Sequence, residues 1–144
     1  MTDNLSPKTS VRQLRIVVEA EDYEEALTFF RDVLGLPEEE SYAGEGGARV
    51  AILDAGRATL ELSNPAQVRL IDSVETDGVR SPHLRVAFEV DDSAGVTAEL
   101  EEAGAEVLAS PRVTPWNSLN ARLAAPAGLQ VTLFQELDDV EDER

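Results

Sequence analysis

The chain has 144 residues, 42% apolar and 28% charged, which suits one globular domain with a real core or two small fused units. With 29 acidic against 12 basic side chains its formal net charge is -17, which argues against a general nucleic-acid binder, because phosphate recognition needs clustered Lys and Arg. It contains no cysteine, so disulfides, thiolate metal sites and a thiol nucleophile are excluded. The negative charge serves solubility first and allows the attraction of cationic ligands second.

Residues 1–10, "MTDNLSPKTS", are polar and are expected to form a loose arm; they lack the apolar core of a signal peptide. No run approaches the roughly 20 apolar residues of a membrane span. The expectation is a cytoplasmic protein with no membrane and no nucleic-acid partner. Val11 to Glu19 alternates, with Leu14, Ile16 and Val18 on one side and Arg15, Val17 and Glu19 on the other, which predicts a strand. Asp22 stands at an N-cap position with Glu24 and Glu25 in the following turn. Ala26, Leu27, Phe30, Val33 and Leu34 recur at helical spacing, and Gly35 and Pro37 stop that helix. "GEGGA" at 44–48 is a loop, and "RVAILDAGRATLEL" is a hairpin turning at "DAGR". Pro65 to Pro82 reads as a linker containing a short helix.

The same order then recurs. Val86, Phe88 and Val90 face one way and Arg85, Ala87 and Glu89 the other. Asp92 caps a helix carrying Val96, Leu100 and Ala103, which Gly104 ends. "AEVLAS", "LNARLAA" and "LQVTLFQ" are strand candidates, the last two joined at "PAG", and the chain closes on an acidic tail. Arg15 and Arg85 lie seventy residues apart, as do Asp22 and Asp92. Such a constant offset is the mark of a duplication. The expected organisation is an arm at 1–10, a first unit at 11–64, a linker at 65–82, a second unit at 83–136 and a tail at 137–144, making one structural domain overall.

One face of each unit's sheet is apolar and packs on its helix. The other carries polar residues: Arg15 and Glu19; Arg57, Thr59, Glu61 and Ser63; His83, Arg85 and Glu89; Gln130 and Thr132. That second face is either solvated or one wall of a ligand cup.

The strand, the acidic residue and "EEALTFFRDVLGL" together resemble the opening of the vicinal oxygen chelate superfamily, which includes glyoxalases, extradiol dioxygenases and bleomycin resistance proteins. "RVAFEVDD" is similar to that family's second opening, and "ARLAAPAGLQVTLFQ" to its closing hairpin, although the usual Asp-Pro-Asp-Gly turn is here Ala125, Pro126, Ala127 and Gly128. The resemblance implies an α+β fold of two tandem βαβββ modules whose mixed sheets curl around a shared cup, often as a homodimer. It also implies that the points used for metal by other members fall on Arg15, Glu61, Arg85 and Thr132. Only Glu61 is an ordinary ligand; Arg has no lone pair to give, and Thr is a poor partner for zinc, nickel or iron. No metal and no cofactor are therefore expected.

His83, the only histidine, shares parity with Arg85 and reads either as a surface residue or as half of a metal site with Glu61. Arg15 and Arg85 read either as an internal ion network with Glu61, Glu19 or Glu89, or as a fork for a ligand carboxylate, phosphate or carbonyl. Trp116, the only tryptophan, reads either as a core or interface residue or as a stacking face for a ligand. Tyr42 sits in a loop that is either plain surface or a lid. The expected ligand-binding set is thus Arg15, Glu61, Arg85, Trp116, Thr132, His83, Thr59 and Glu89. The expected partner is a small organic molecule, cationic or planar, sequestered without metal. The alternatives are a metal-dependent lyase, isomerase or dioxygenase of the same superfamily, or a subunit whose closed cup serves assembly alone.

Overall fold

A computed structural model describes residues 11–138. The arm expected at 1–10 and residues 139–144 of the expected tail lie outside them.

Alternation makes β1 (Val11–Glu19) a strand with one face for the core. The chain then turns at Asp22, whose carboxylate accepts the Glu25 N–H at 3.0 Å and so caps α1 (Tyr23–Leu27). Helical spacing placed Val33 and Leu34 in the core, and here the structure differs. From Thr28 to Val33 the helix widens into a π turn, closed by Leu34 N–H to the Phe29 carbonyl. The wider turn shifts the phase of every residue after it. Phe30 and Leu36 stay against the core, while Phe29, Val33 and Leu34 are exposed. Gly35, at φ 93°, lets the Leu36 N–H return to the Phe30 carbonyl and ends the helix. Three strands follow: β2 (Glu38–Ala43), β3 (Arg49–Asp54) and β4 (Ala58–Ser63).

The second module repeats this order as β5 (Leu84–Val90), α3 (Ser93–Glu102), β6 (Glu106–Val113), β7 (Ser118–Ala124) and β8 (Gln130–Glu136). Asp92 caps α3 through the Gly95 N–H at 3.0 Å, as Asp22 caps α1. Between the modules runs α2 (Pro65–Thr76), capped by Asn64 with proline at its first position.

All eight strands form one curled, open sheet in the order β2-β3-β4-β1-β5-β8-β7-β6. The order is a palindrome about β1 and β5, which pair antiparallel; β1 pairs parallel with β4, and β5 parallel with β8. The two modules are therefore related by an approximate two-fold axis through the β1–β5 seam. The outer face holds two apolar clusters. Tyr23, Leu27, Ala51, Leu53 and Leu62 pack under the first helix; Val90, Val96, Ala121, Leu123, Val131 and Leu133 pack under α3. The inner face carries the alternate residues of the same strands. The extra helix α2 lies against β3 and β4 of one module and β6 and β7 of the other.

Leu62 and Leu123 are each 1% exposed, one in each cluster. Leu62→Ala and Leu123→Ala are each expected to cost about 2–5 kcal/mol. Because one sheet joins the clusters, both variants should melt in a single transition when followed by circular dichroism.

Candidate functional site

The antiparallel register of the seam sets the floor of the site. Arg15 lies opposite Ala87, and Val17 opposite Arg85, so the two arginines sit diagonally on one face of adjacent strands. Glu61 lies beside Val17 on the parallel partner β4, and Thr132 beside Ala87 on β8. Arg15, Glu61, Arg85 and Thr132 all line one cavity of about 440 Å³ on the inner face of the sheet. Val50 and Ile52 of β3, Val17, Ala87 and Phe134 give it apolar wall; Gln67, Leu70, Ile71 and Glu75 of α2 close one side. Glu40, Tyr42, Trp116 and Glu136 also line it, with Ala43, Gly44, Ser118 and Asn120, and Tyr42 and Trp116 are exposed at its rim. Trp116 is carried by the turn between β6 and β7, where Asn117 takes a positive φ of 67°.

The two arginines differ. Arg15 donates to the Gln13 side chain at 2.7 Å, lies 3.9 Å from Glu61 and stacks over the Phe134 ring at 4.8 Å. Arg85 is 7% exposed, and its side chain makes one hydrogen bond among the described residues, to the Thr132 hydroxyl at 2.7 Å. Burial pushes its guanidinium down from the ordinary value, yet arginine keeps its proton. Burial pushes the Glu61 carboxyl up from its ordinary 4.5, against the pull of Arg85 and Arg15. At the rim, burial likewise raises Glu136.

A third guanidinium stands on the second module's half of the inner face. Arg122, wholly buried, reaches Asp72 at 2.9 Å and Glu75 at 2.7 Å, both on α2. Asn120 donates to the other oxygen of Glu75 at 2.7 Å, and Ser118 donates to Asn120 at 2.6 Å. Asp72 also accepts the backbone N–H and hydroxyl of Ser81. Thr132 donates weakly to Glu75 at 3.4 Å, which links this network to Arg85. The network pins α2 across the cup.

Of the expected set, Arg15, Glu61, Arg85, Thr132 and Trp116 meet in the cavity. Three members lie outside its lining. Thr59 is buried at the far end of β4, and its hydroxyl finds no partner among the described residues. Glu89 stays half-buried on β5. His83 is exposed and borders a separate small cleft on the other side of Arg85, so it forms no half-site with Glu61. Asp72, Glu75, Asn120 and Arg122 were missed. Their signal was present: Val68, Ile71, Asp72 and Glu75 share one stripe of α2, and Asn120 and Arg122 alternate with Ala121 and Leu123 on β7.

Among the described residues no group of three or more His, Cys, Asp or Glu is placed to hold a metal. One carboxylate and one hydroxyl beside two guanidinium groups make a poor donor set for a divalent ion, which the arginines repel. No helix among the described residues is long and apolar enough to cross a membrane.

Paired βαβββ modules around a polar cup define a protein class by fold. The chain belongs to the Glyoxalase/Bleomycin resistance protein/Dioxygenase superfamily, whose profile matches residues 12–133. It is similar in fold to methylmalonyl-CoA epimerase from Mycobacterium tuberculosis, with 19% identity over 98% of this chain and 97% of that one and a TM-score of 0.64. It is also similar to a hypothetical protein from Bacillus halodurans C-125, with 16% identity, 91% and 96% coverage and a TM-score of 0.65. A glyoxalase/bleomycin resistance protein/dioxygenase superfamily member from Vibrio splendidus 12B01 gives 14% identity, 88% and 100% coverage and a TM-score of 0.62. No curated protein sequence matches the chain significantly.

Two predictions follow from the buried charges. Arg122→Met leaves Asp72 and Glu75 buried without their cation and is expected to cost about 3–5 kcal/mol in denaturant unfolding. A carboxyl with a raised folded pKa binds its proton better folded than unfolded. Its stabilisation is therefore full below 4.5 and is lost as pH rises through the folded value. Glu61→Gln should accordingly gain Tm over the parent at pH 8 and lose that advantage at pH 4. A constant Tm difference across that range would contradict the assignment.

Proposed function

We propose that the chain is a metal-free small-molecule-binding protein that sequesters an organic ligand in the cup between its two modules. The observation that carries this is the cavity of about 440 Å³ with guanidinium groups at the points where other members of the superfamily are expected to place metal ligands. Its volume lies in the range of ligand pockets, and its lining mixes apolar walls with a few convergent polar groups. The rim adds a preference. Trp116 and Tyr42 offer flat faces, and Glu40 and Glu136 place acidic groups beside them, which suits a planar or cationic molecule. The overall charge of -17 favours the approach of such a ligand.

The second reading is a metal-dependent lyase, isomerase or dioxygenase. The fold likeness to methylmalonyl-CoA epimerase supports it, but at 19% identity that likeness extends to the fold alone. Elemental analysis of protein grown with zinc, nickel and iron separates the two: a stoichiometric metal that survives dialysis would establish the second reading.

Titration of planar cationic compounds against the protein should change the fluorescence of Trp116, the only tryptophan. Trp116→Ala should weaken binding by about tenfold, or ~1.4 kcal/mol, as measured by calorimetry. Silence across a broad library would defeat the sequestration reading.

A further inference from the structure

The inner face of the sheet carries three guanidinium groups, Arg85 and Arg122 buried and Arg15 half-buried, and two of the three are engaged. Arg122 has Asp72 and Glu75 at 2.9 and 2.7 Å. Arg15 has Glu61 at 3.9 Å, the Gln13 side chain and the Phe134 ring. Among the described residues Arg85, at 7% exposure, has only the Thr132 hydroxyl as a side-chain partner, and no carboxylate comes within 4.0 Å of it.

Two of the carboxylates nearest to Arg85 are already engaged elsewhere. Glu75 gives one oxygen to Arg122 and the other to Asn120. Asp72 gives one oxygen to Arg122 and the other to Ser81. Glu61 lies 3.9 Å from Arg15, and its attraction for Arg85 acts across more than 4.0 Å. A guanidinium carries five N–H donors in a planar fork. Here most of them have no acceptor among the described residues, and the side chain lines the cavity. A buried cation without a close counter-ion is unfavourable. The complement of that fork is a planar anion with two acceptor oxygens, which is a carboxylate.

We infer that Arg85 and Thr132 form a floor subsite for a ligand carboxylate, so that the cup selects amphoteric molecules: a carboxylate end at Arg85 and a cationic or planar end between Trp116 and Tyr42 beside Glu40 and Glu136. The inference rests on reading the cavity as a ligand site. It assigns the two poles of the ligand to two depths. The floor residues Arg85 and Thr132 are buried, while the rim residues Trp116 and Tyr42 are exposed. The acidic side chains in the lining, Glu40, Glu61, Glu75 and Glu136, disfavour a multiply charged anion and leave room for a single negative charge.

Three small probes separate the poles: benzamidine carries the cation, benzoate the carboxylate, and 4-amidinobenzoate both. Binding is read from Trp116 fluorescence, and Tm is measured alongside. The unaltered protein should bind 4-amidinobenzoate at least tenfold more tightly than either of the others. In Arg85→Met the ratio of affinities for 4-amidinobenzoate over benzamidine should fall to about one, with Tm unchanged or raised, because an apolar side chain replaces an incompletely paired cation. Glu61→Gln, which removes a negative charge beside the floor, should tighten benzoate several-fold. If benzamidine binds and the added carboxylate gains nothing, or if Arg85→Met keeps the ratio or lowers Tm sharply, the floor subsite is wrong while the ligand site stands. If none of the probes and no compound of the wider library binds, the ligand-site reading fails and takes this inference with it.

Discussion

A guanidinium group taken out of water must be given oxygen partners, and the inner face of this sheet takes in two such groups, Arg85 and Arg122, and part of a third, Arg15. Arg15 and Arg85 come as a pair because the modules are duplicated and β1 meets β5 antiparallel. Arg122 comes from one module alone. How each charge is met decides the rest of the interior. Arg122 draws Asp72 and Glu75 down from α2 and so fixes that helix across the cup. Arg15 leans on Phe134 and Glu61. Arg85 is left with a hydroxyl and an open cavity.

The duplication is therefore symmetric in its frame and asymmetric in its contents. The frame repeats down to the Asp caps of the two module helices and the parallel pairing of first and last strands. The single helix α2 breaks the symmetry, because one segment between two copies has no counterpart. It covers the Asn120–Arg122 half of the inner face with a hydrogen-bonded network. The space that remains lies over the seam and is lined from both modules. At its floor Arg85 has one side-chain hydrogen bond among the described residues.

Guanidinium at the centre of the cup also changes what chemistry the frame can support. A divalent ion polarises a bound oxygen through open coordination positions. An arginine offers fixed positive charge and directed donors, and it cannot bind an oxygen by coordination. Such a centre is well suited to holding and orienting an anion. Glu61 beside it is a carboxyl whose pKa burial raises, so the charge of the floor depends on pH above the ordinary carboxylate value.

The sequence by itself determined most of the elements, the duplication and the parity of the strands, because these depend on local periodicity and on capping residues read a few positions apart. Tyr42, read as part of a loop, lies instead on the edge strand β2, whose acidic, fully exposed sequence carries no alternation of apolar residues. The family resemblance singled out Arg15, Glu61, Arg85 and Thr132, and strand parity put these four on one face. It also placed Thr59, Glu89 and His83 on the same face, but which residues of a face border the cavity depends on strand tilt and on what covers them. The π turn at Thr28–Val33 was not legible, since one widened turn carries no residue signature here and exposes Val33 and Leu34 against their helical spacing. The docking of α2 was decided only by the tertiary structure. Ion-pair partners are chosen by distance in space, and Arg122 stands fifty residues from Asp72 along the chain while lying 2.9 Å from it in the fold. The same long-range choice left Arg85 without a carboxylate within 4.0 Å among the described residues, and no local pattern could have shown that.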